Sequence, residues 1–128
     1  MAKTKKAVKP QVADLSEMLA GIAVEGMQEK KAKEIVSLDL RNVKNAVTDY
    51  FVVCHGDSRI QVEAIAKSVE EEIFKKTGED PWHREGFENA EWILLDYINI
   101  VVHIFQNEKR DFYGIERLWA DAEVKKIQ

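Results

Sequence analysis

The chain has 128 residues, 45% of them apolar, which suits one globular domain with its own core. A lone cysteine, Cys54, excludes a disulfide framework. No apolar run approaches the ~20 residues of a membrane span, and residues 1–10 lack the apolar centre of a signal peptide, so a soluble cytoplasmic protein is expected. Residues 1–10 carry four lysines and no acid, or +4, which leaves −8 on the remainder of a chain whose total is −4.

So acidic a body disfavours binding to a phosphate backbone, where affinity comes from lysine and arginine displacing counterions. Sequence-specific nucleic-acid binding is therefore not expected, and a basic protein partner is. Residues 1–12 read as a basic, disordered tail, residues 13–122 as a single α/β domain, and residues 123–128 as a C-terminal tail.

Asp14 or Ser16 can cap a first helix, in which Leu15, Met18, Leu19, Ile22 and Ala23 recur at helical spacing and which runs to about residue 31. Residues 34–40 alternate weakly and read as a strand. Residues 42–46 read as a loop, and residues 50–54 as a short apolar central strand. His55-Gly56-Asp57 then breaks the chain, and Ser58 with Gln61 three residues on makes a capping box. Val62, Ile65, Ala66, Val69 and Ile73 mark the helix that follows. Lys75 and Lys76 sit in its last turn, Gly78 is its left-handed stop, and Pro81 lies just beyond.

Residues 82–87 read as a strand weakened by Gly86. Residues 91–96 and 99–105 are strand-like runs separated by Tyr97-Ile98, which predicts a tight hairpin. Residues 106–122 complete the pattern as one helix with Phe112, Ile115, Trp119 and Ala122 on one side. The order of elements predicts an α/β domain with a mixed sheet flanked by helices.

The hairpin carries the functional argument. A Tyr97-Ile98 turn sets Asp96 opposite Asn99, Leu94 opposite Val101, and Trp92 opposite His103. One face then displays Ile93, Leu95, Ile100, Val102 and Ile104, all aliphatic, and must be core. The other displays Trp92, Leu94, Asp96, Asn99, Val101, His103 and Phe105. That second face has two readings. A helix covers it, and Trp92 and His103 are packed residues with hydrogen-bond partners; or part of it is open to a partner, with Trp92 as anchor and polar groups at the rim. Both fit its composition.

Catalytic and cofactor chemistry find little support. Cys54 and His55 are neighbours at a strand end, His83 and His103 stand alone, and no His-x-x-His or Cys-x-x-Cys spacing occurs, so no metal or other cofactor is expected. Cys54 reads as a buried core thiol. Gly56-Asp57-Ser58, between strand and helix, is where a nucleotidyltransferase would seat phosphate. That chemistry needs two carboxylates one residue apart to hold magnesium. Here Asp39 is followed two positions on by Arg41, Asp96 by Ile98 and Glu91 by Ile93, and Asp57 would repel the phosphate.

The segments 49–71 (DYFVVCHGDSRIQVEAIAKSVEE), Glu85-Gly86, 92–96 (WILLD), 101–105 (VVHIF) and 110–119 (RDFYGIERLW) together resemble the Iojap family of ribosomal silencing factors, RsfS, over about residues 15–120. The resemblance implies a non-enzymatic α/β protein with a nucleotidyltransferase-like topology lacking the catalytic carboxylates. It also implies binding to the large ribosomal subunit through ribosomal protein fourteen, blocked docking of the small subunit, and lowered translation. Members of the family often form homodimers when isolated. On this reading Trp92, Leu94, Asp96, Val101, His103 and Phe105 are the partner-facing set. The alternative is a nucleotide-binding or nucleotidyltransferase-type enzyme on the same fold. Three departures from the family pattern stand out: Asp57 replaces an asparagine, Ile98-Asn99 replaces Gly-Asp in the hairpin turn, where a β-branched residue resists positive φ, and the basic tail lies outside the resemblance.

Overall fold

A computed structural model describes residues 3–127, with side chains from Leu15 onward. The elements run α1 (Lys3–Glu29), β1 (Lys33–Asp39), β2 (Tyr50–Gly56), α2 (Arg59–Thr77), β3 (His83–Glu85), β4 (Trp92–Asp96), β5 (Ile100–Gln106), α3 (Asn107–Tyr113), α4 (Ile115–Leu118) and β6 (Glu123–Lys126). They build a six-stranded mixed sheet in the order β3-β4-β5-β2-β1-β6, the α/β architecture that the sequence predicts. Only β2 and β5 pair in parallel; the other neighbours are antiparallel.

One face of the sheet is sealed by α1 and α2. Beneath them lie Val52, Cys54, Ile93, Leu95, Ile100, Val102 and Ile104, packed against Leu19, Ala23, Met27, Val62, Ile65, Val69 and Ile73. The two helices approach closely at Gly26, where a Cβ would lie 2.7 Å from the Val69 backbone, and there the Ser68 hydroxyl donates to the Gly26 carbonyl at 2.7 Å. The ends of α2 are those read from the sequence. Ser58 accepts from the Gln61 amide at 3.1 Å, the Gln61 side chain reaches back to the Asp57 amide at 2.8 Å, and Gly78 closes the helix at φ 78°.

Several expectations about the elements need correction. The first helix begins at Lys3, ahead of Asp14 and Ser16, so it takes in most of the segment read as a disordered tail; lysine, alanine and glutamine all favour helix, and this allows it to extend upstream. Ser16 is no cap: it is buried and donates to Asp49 at 2.6 Å. The last helix is two short ones, because Gly114 takes the left-handed conformation (φ 57°) and turns the chain. The residues read as a C-terminal tail include β6, which lies against β1 as an edge strand, with Val124 opposite Leu38.

The hairpin turn lies one residue further on than expected. The Tyr97 amide donates to the Ile100 carbonyl (2.9 Å) and the Asn99 amide to the Tyr97 carbonyl (2.8 Å), with Ile98 at φ 74° between them. That is a γ-turn geometry, strained for a β-branched residue. Cross-strand partners become Asp96 with Val101, Leu94 with His103 and Trp92 with Phe105. The register has moved by two residues, and side chains alternate with a period of two. Both faces therefore keep the residues assigned to them.

A candidate docking surface

The second face of the sheet is divided. Its β5–β2 half is covered by the α3–α4 corner, under which Phe51, Val53, Val101, Phe105, Ile115 and Ala122 form a second core. Trp119 packs edge-on to Phe51 at 5.8 Å, and Tyr113 lies over Trp92 at 4.7 Å. The β3–β4 half is more open: Tyr113 at the end of α3 reaches over Trp92, but His83 and Glu85 are exposed, and Trp92, Leu94 and Asp96 are half-buried.

The six residues read as partner-facing thus separate into two groups. Val101, His103 and Phe105 are 7%, 4% and 0% exposed and lie beneath the surface. They are lost to direct contact because β5 is the strand over which the α3–α4 corner folds. Trp92, Leu94 and Asp96 form the accessible group. Asp96 also braces the turn, accepting from the Ile98 amide at 2.8 Å. Glu85 lies directly across from Leu94, so an acid flanks the apolar centre of the open half.

Trp92 and His103 are joined. The indole Nε1–H donates to His103 Nδ1 at 3.1 Å, and Trp92 stacks on Phe105 at 5.1 Å. Desolvation pushes the His103 pKa down to about 3, so the ring is neutral. With Nδ1 accepting, the ring proton sits on Nε2, which is buried without a hydrogen-bond partner among the described residues.

The corner adds further apolar surface. Phe112 and Leu118 are 74% and 76% exposed, and Tyr113 is also exposed. The corner is held by Arg110, a buried side chain whose guanidinium donates twice to the Glu116 carboxylate, at 3.0 Å each, and once to His55 Nδ1 at 2.9 Å. Burial and then the neighbouring Arg110 charge lower the His55 pKa. An arginine and a glutamate six residues apart are unremarkable until Gly114 bends the chain between them, and so the clasp left no periodic signal in the sequence.

The helix N-terminus where an enzyme would hold phosphate is already engaged. Lys33 pairs with Asp57 at 2.6 Å, and the Asp57 amide is taken by Gln61. Among the described residues, no three His, Cys, Asp or Glu side chains converge as metal ligands. Cys54 is fully buried, which pushes its thiol pKa up and suppresses the thiolate. No helix among the described residues is long and apolar enough to cross a membrane.

Comparison with known proteins agrees with the resemblance. The family described as "Ribosomal silencing factor during starvation" (RsfS) matches residues 12–128. Ribosomal silencing factor RsfS of Bacillus subtilis is 39% identical over 101 residues, covering 79% of this chain and 84% of that protein. Its counterpart in Halalkalibacterium halodurans is 34% identical over 110 residues, covering 86% and 92%. A crystal structure of a Chromobacterium violaceum protein superposes with a TM-score of 0.76 at 36% identity, covering 81% of this chain and 85% of that one. The chain belongs to the RsfS family of ribosomal silencing factors, and a ribosome-associated role in silencing translation comes with that membership.

Proposed function

We propose that this protein binds the large ribosomal subunit through ribosomal protein fourteen and, seated on the intersubunit surface, keeps the small subunit from docking. The observation that carries this reading is the more open β3–β4 half-face, where Trp92 and Leu94 are half-buried and Glu85 and Asp96 supply negative charge beside them. An aromatic anchor with an acidic rim suits a basic, partly apolar protein surface. The −8 carried by residues 11–128 steers approach toward such a component and away from RNA.

The mechanism is steric and needs no catalysis. A chain of 128 residues has a radius of gyration of roughly 14 Å, so it holds apart two surfaces that must otherwise touch. Silencing requires only that free large subunits bind the protein better than assembled ribosomes do. The homodimer expected of the isolated protein would use the same apolar surface and be displaced by the subunit.

Co-sedimentation with purified large subunits tests the reading, together with reassociation of the two subunits in its presence. The protein should travel with the large subunit and lower the yield of assembled ribosomes. A chain that stays at the top of the gradient at micromolar concentration would overturn the proposal. Trp92→Ala should weaken binding by about 2–4 kcal/mol while the fold persists, as expected for an aromatic anchor. Saturable heat with nucleoside triphosphate and magnesium would favour the enzymatic alternative instead.

A further inference from the structure

The buried histidine under the docking surface is out of place in a purely structural account. His103 is surrounded by rings: Phe51 edge-on at 4.5 Å, Phe105 stacked at 6.4 Å and Trp92 tilted at 5.9 Å. Its Nε2–H has no hydrogen-bond partner among the described residues. A buried donor left unpaired is costly, so an apolar ring at this position would serve the isolated fold at least as well. What the histidine adds is at its other nitrogen, where Nδ1 accepts the Trp92 indole hydrogen at 3.1 Å. The ring stays neutral across physiological pH, so that lone pair is always available.

Beyond that bond Trp92 rests on ring and apolar packing: it stacks on Phe105 at 5.1 Å, meets Tyr113 at a tilt at 4.7 Å and lies against the second core. Stacking tolerates sliding and rotation of an indole, whereas one directional hydrogen bond to a buried acceptor removes that freedom. A half-buried tryptophan without such an acceptor would turn its N–H toward water.

We propose that His103 is a positioning residue for docking, which ties down the Trp92 indole so that the partner meets a fixed ring whose single donor is already used. The partner side chain seated on that ring is then apolar or cationic, packing on its surface, and not a carboxylate or carbonyl that would need the N–H. This rests on the Trp92 half-face being the docking surface.

Three variants and two measurements test it. His103→Phe keeps a ring and removes the acceptor, His103→Asn restores an acceptor where Nδ1 stands, and Trp92→Phe keeps a ring at the anchor and removes the donor. In the free protein, the Trp92 indole N–H signal in a 1H–15N spectrum should exchange slowly with water in wild type and His103→Asn and quickly in His103→Phe. Titrated against purified large subunits, His103→Phe and Trp92→Phe should each bind about tenfold more weakly, the scale of one net hydrogen bond, with His103→Asn within about threefold of wild type. Wild-type affinity in either phenylalanine variant overturns the positioning role and leaves the docking reading standing. So does a His103→Asn as weak as His103→Phe, or an indole N–H that stays protected in His103→Phe. Failure of wild type itself to bind the subunit removes the docking reading and this inference with it.

Discussion

Ile98 takes φ 74° in the hairpin turn, a conformation that costs a β-branched residue about 1–3 kcal/mol. Its side chain is 61% exposed and contributes little packing in return. Its backbone is what matters: the amide donates to Asp96 and the carbonyl accepts from Thr48 at 2.8 Å. Ile98→Gly keeps both bonds and removes the strain, so it should raise stability by about 1 kcal/mol in urea unfolding, and a loss of stability would show that the isoleucine side chain does more than fill space. The second residue-scale prediction concerns acid. His103 protonates near pH 3 when folded and near pH 6.5 when unfolded, so between those values the unfolded chain binds more protons. Stability contributed by the neutral ring is therefore present above pH 6.5 and lost as pH falls. At pH 5 the loss from His103 amounts to about 2 kcal/mol. His55, whose pKa is also lowered, pushes the same way. Unfolding at pH 7 and pH 5 should show wild type losing more than His103→Phe by about that amount, and parallel losses would refute the assignment.

At the scale of elements, the α3–α4 corner decides how much of the second sheet face is left open. Its fixed point is the Arg110 guanidinium, held by Glu116 and His55. Glu116→Ala would leave a buried cation without its counter-charge and should cost about 2–3 kcal/mol, given that Glu116 is itself partly exposed. Amide exchange should quicken in residues 107–118 and not in α2; uniform quickening throughout would mean the clasp supports the whole fold. The same corner separates what the sequence disclosed from what it hid. Helix α2 was legible at both ends, because Ser58, Gln61 and Gly78 act on their own local backbone. The two faces of the hairpin were legible in spite of a misplaced turn, because alternation survives a two-residue shift. The covering of Val101, His103 and Phe105 was not, since it depends on Gly114 bending a helix-like run back over β5, a contact no periodicity encodes. Strand β6 escaped for a related reason: four exposed residues, Glu-Val-Lys-Lys, become a strand only because β1 offers them an edge.

Taken as one molecule, the chain spends its two long helices on one side of the sheet and two short ones on the other. A domain of this size thereby keeps a closed core and still leaves part of one sheet face open. If docking proceeds as proposed, charge and apolar surface act at different stages of it. The −8 of residues 11–128 acts at a distance, and salt screens it over about 10 Å at 0.1 M. On that proposal Trp92 acts only after contact, when water has left the surface. Substitutions on the same face should therefore change different rate constants. Glu85→Lys, at an exposed position across from Leu94, should slow association with the large subunit and flatten its dependence on salt while leaving dissociation nearly unchanged. Trp92→Ala should speed dissociation and leave association and its salt dependence close to wild type. Association and release measured at several salt concentrations by surface-immobilised kinetics would separate the two. If Glu85→Lys altered release alone, or if wild-type association were indifferent to salt, the acidic body would have no part in finding its partner and docking would rest on the Trp92 half-face by itself.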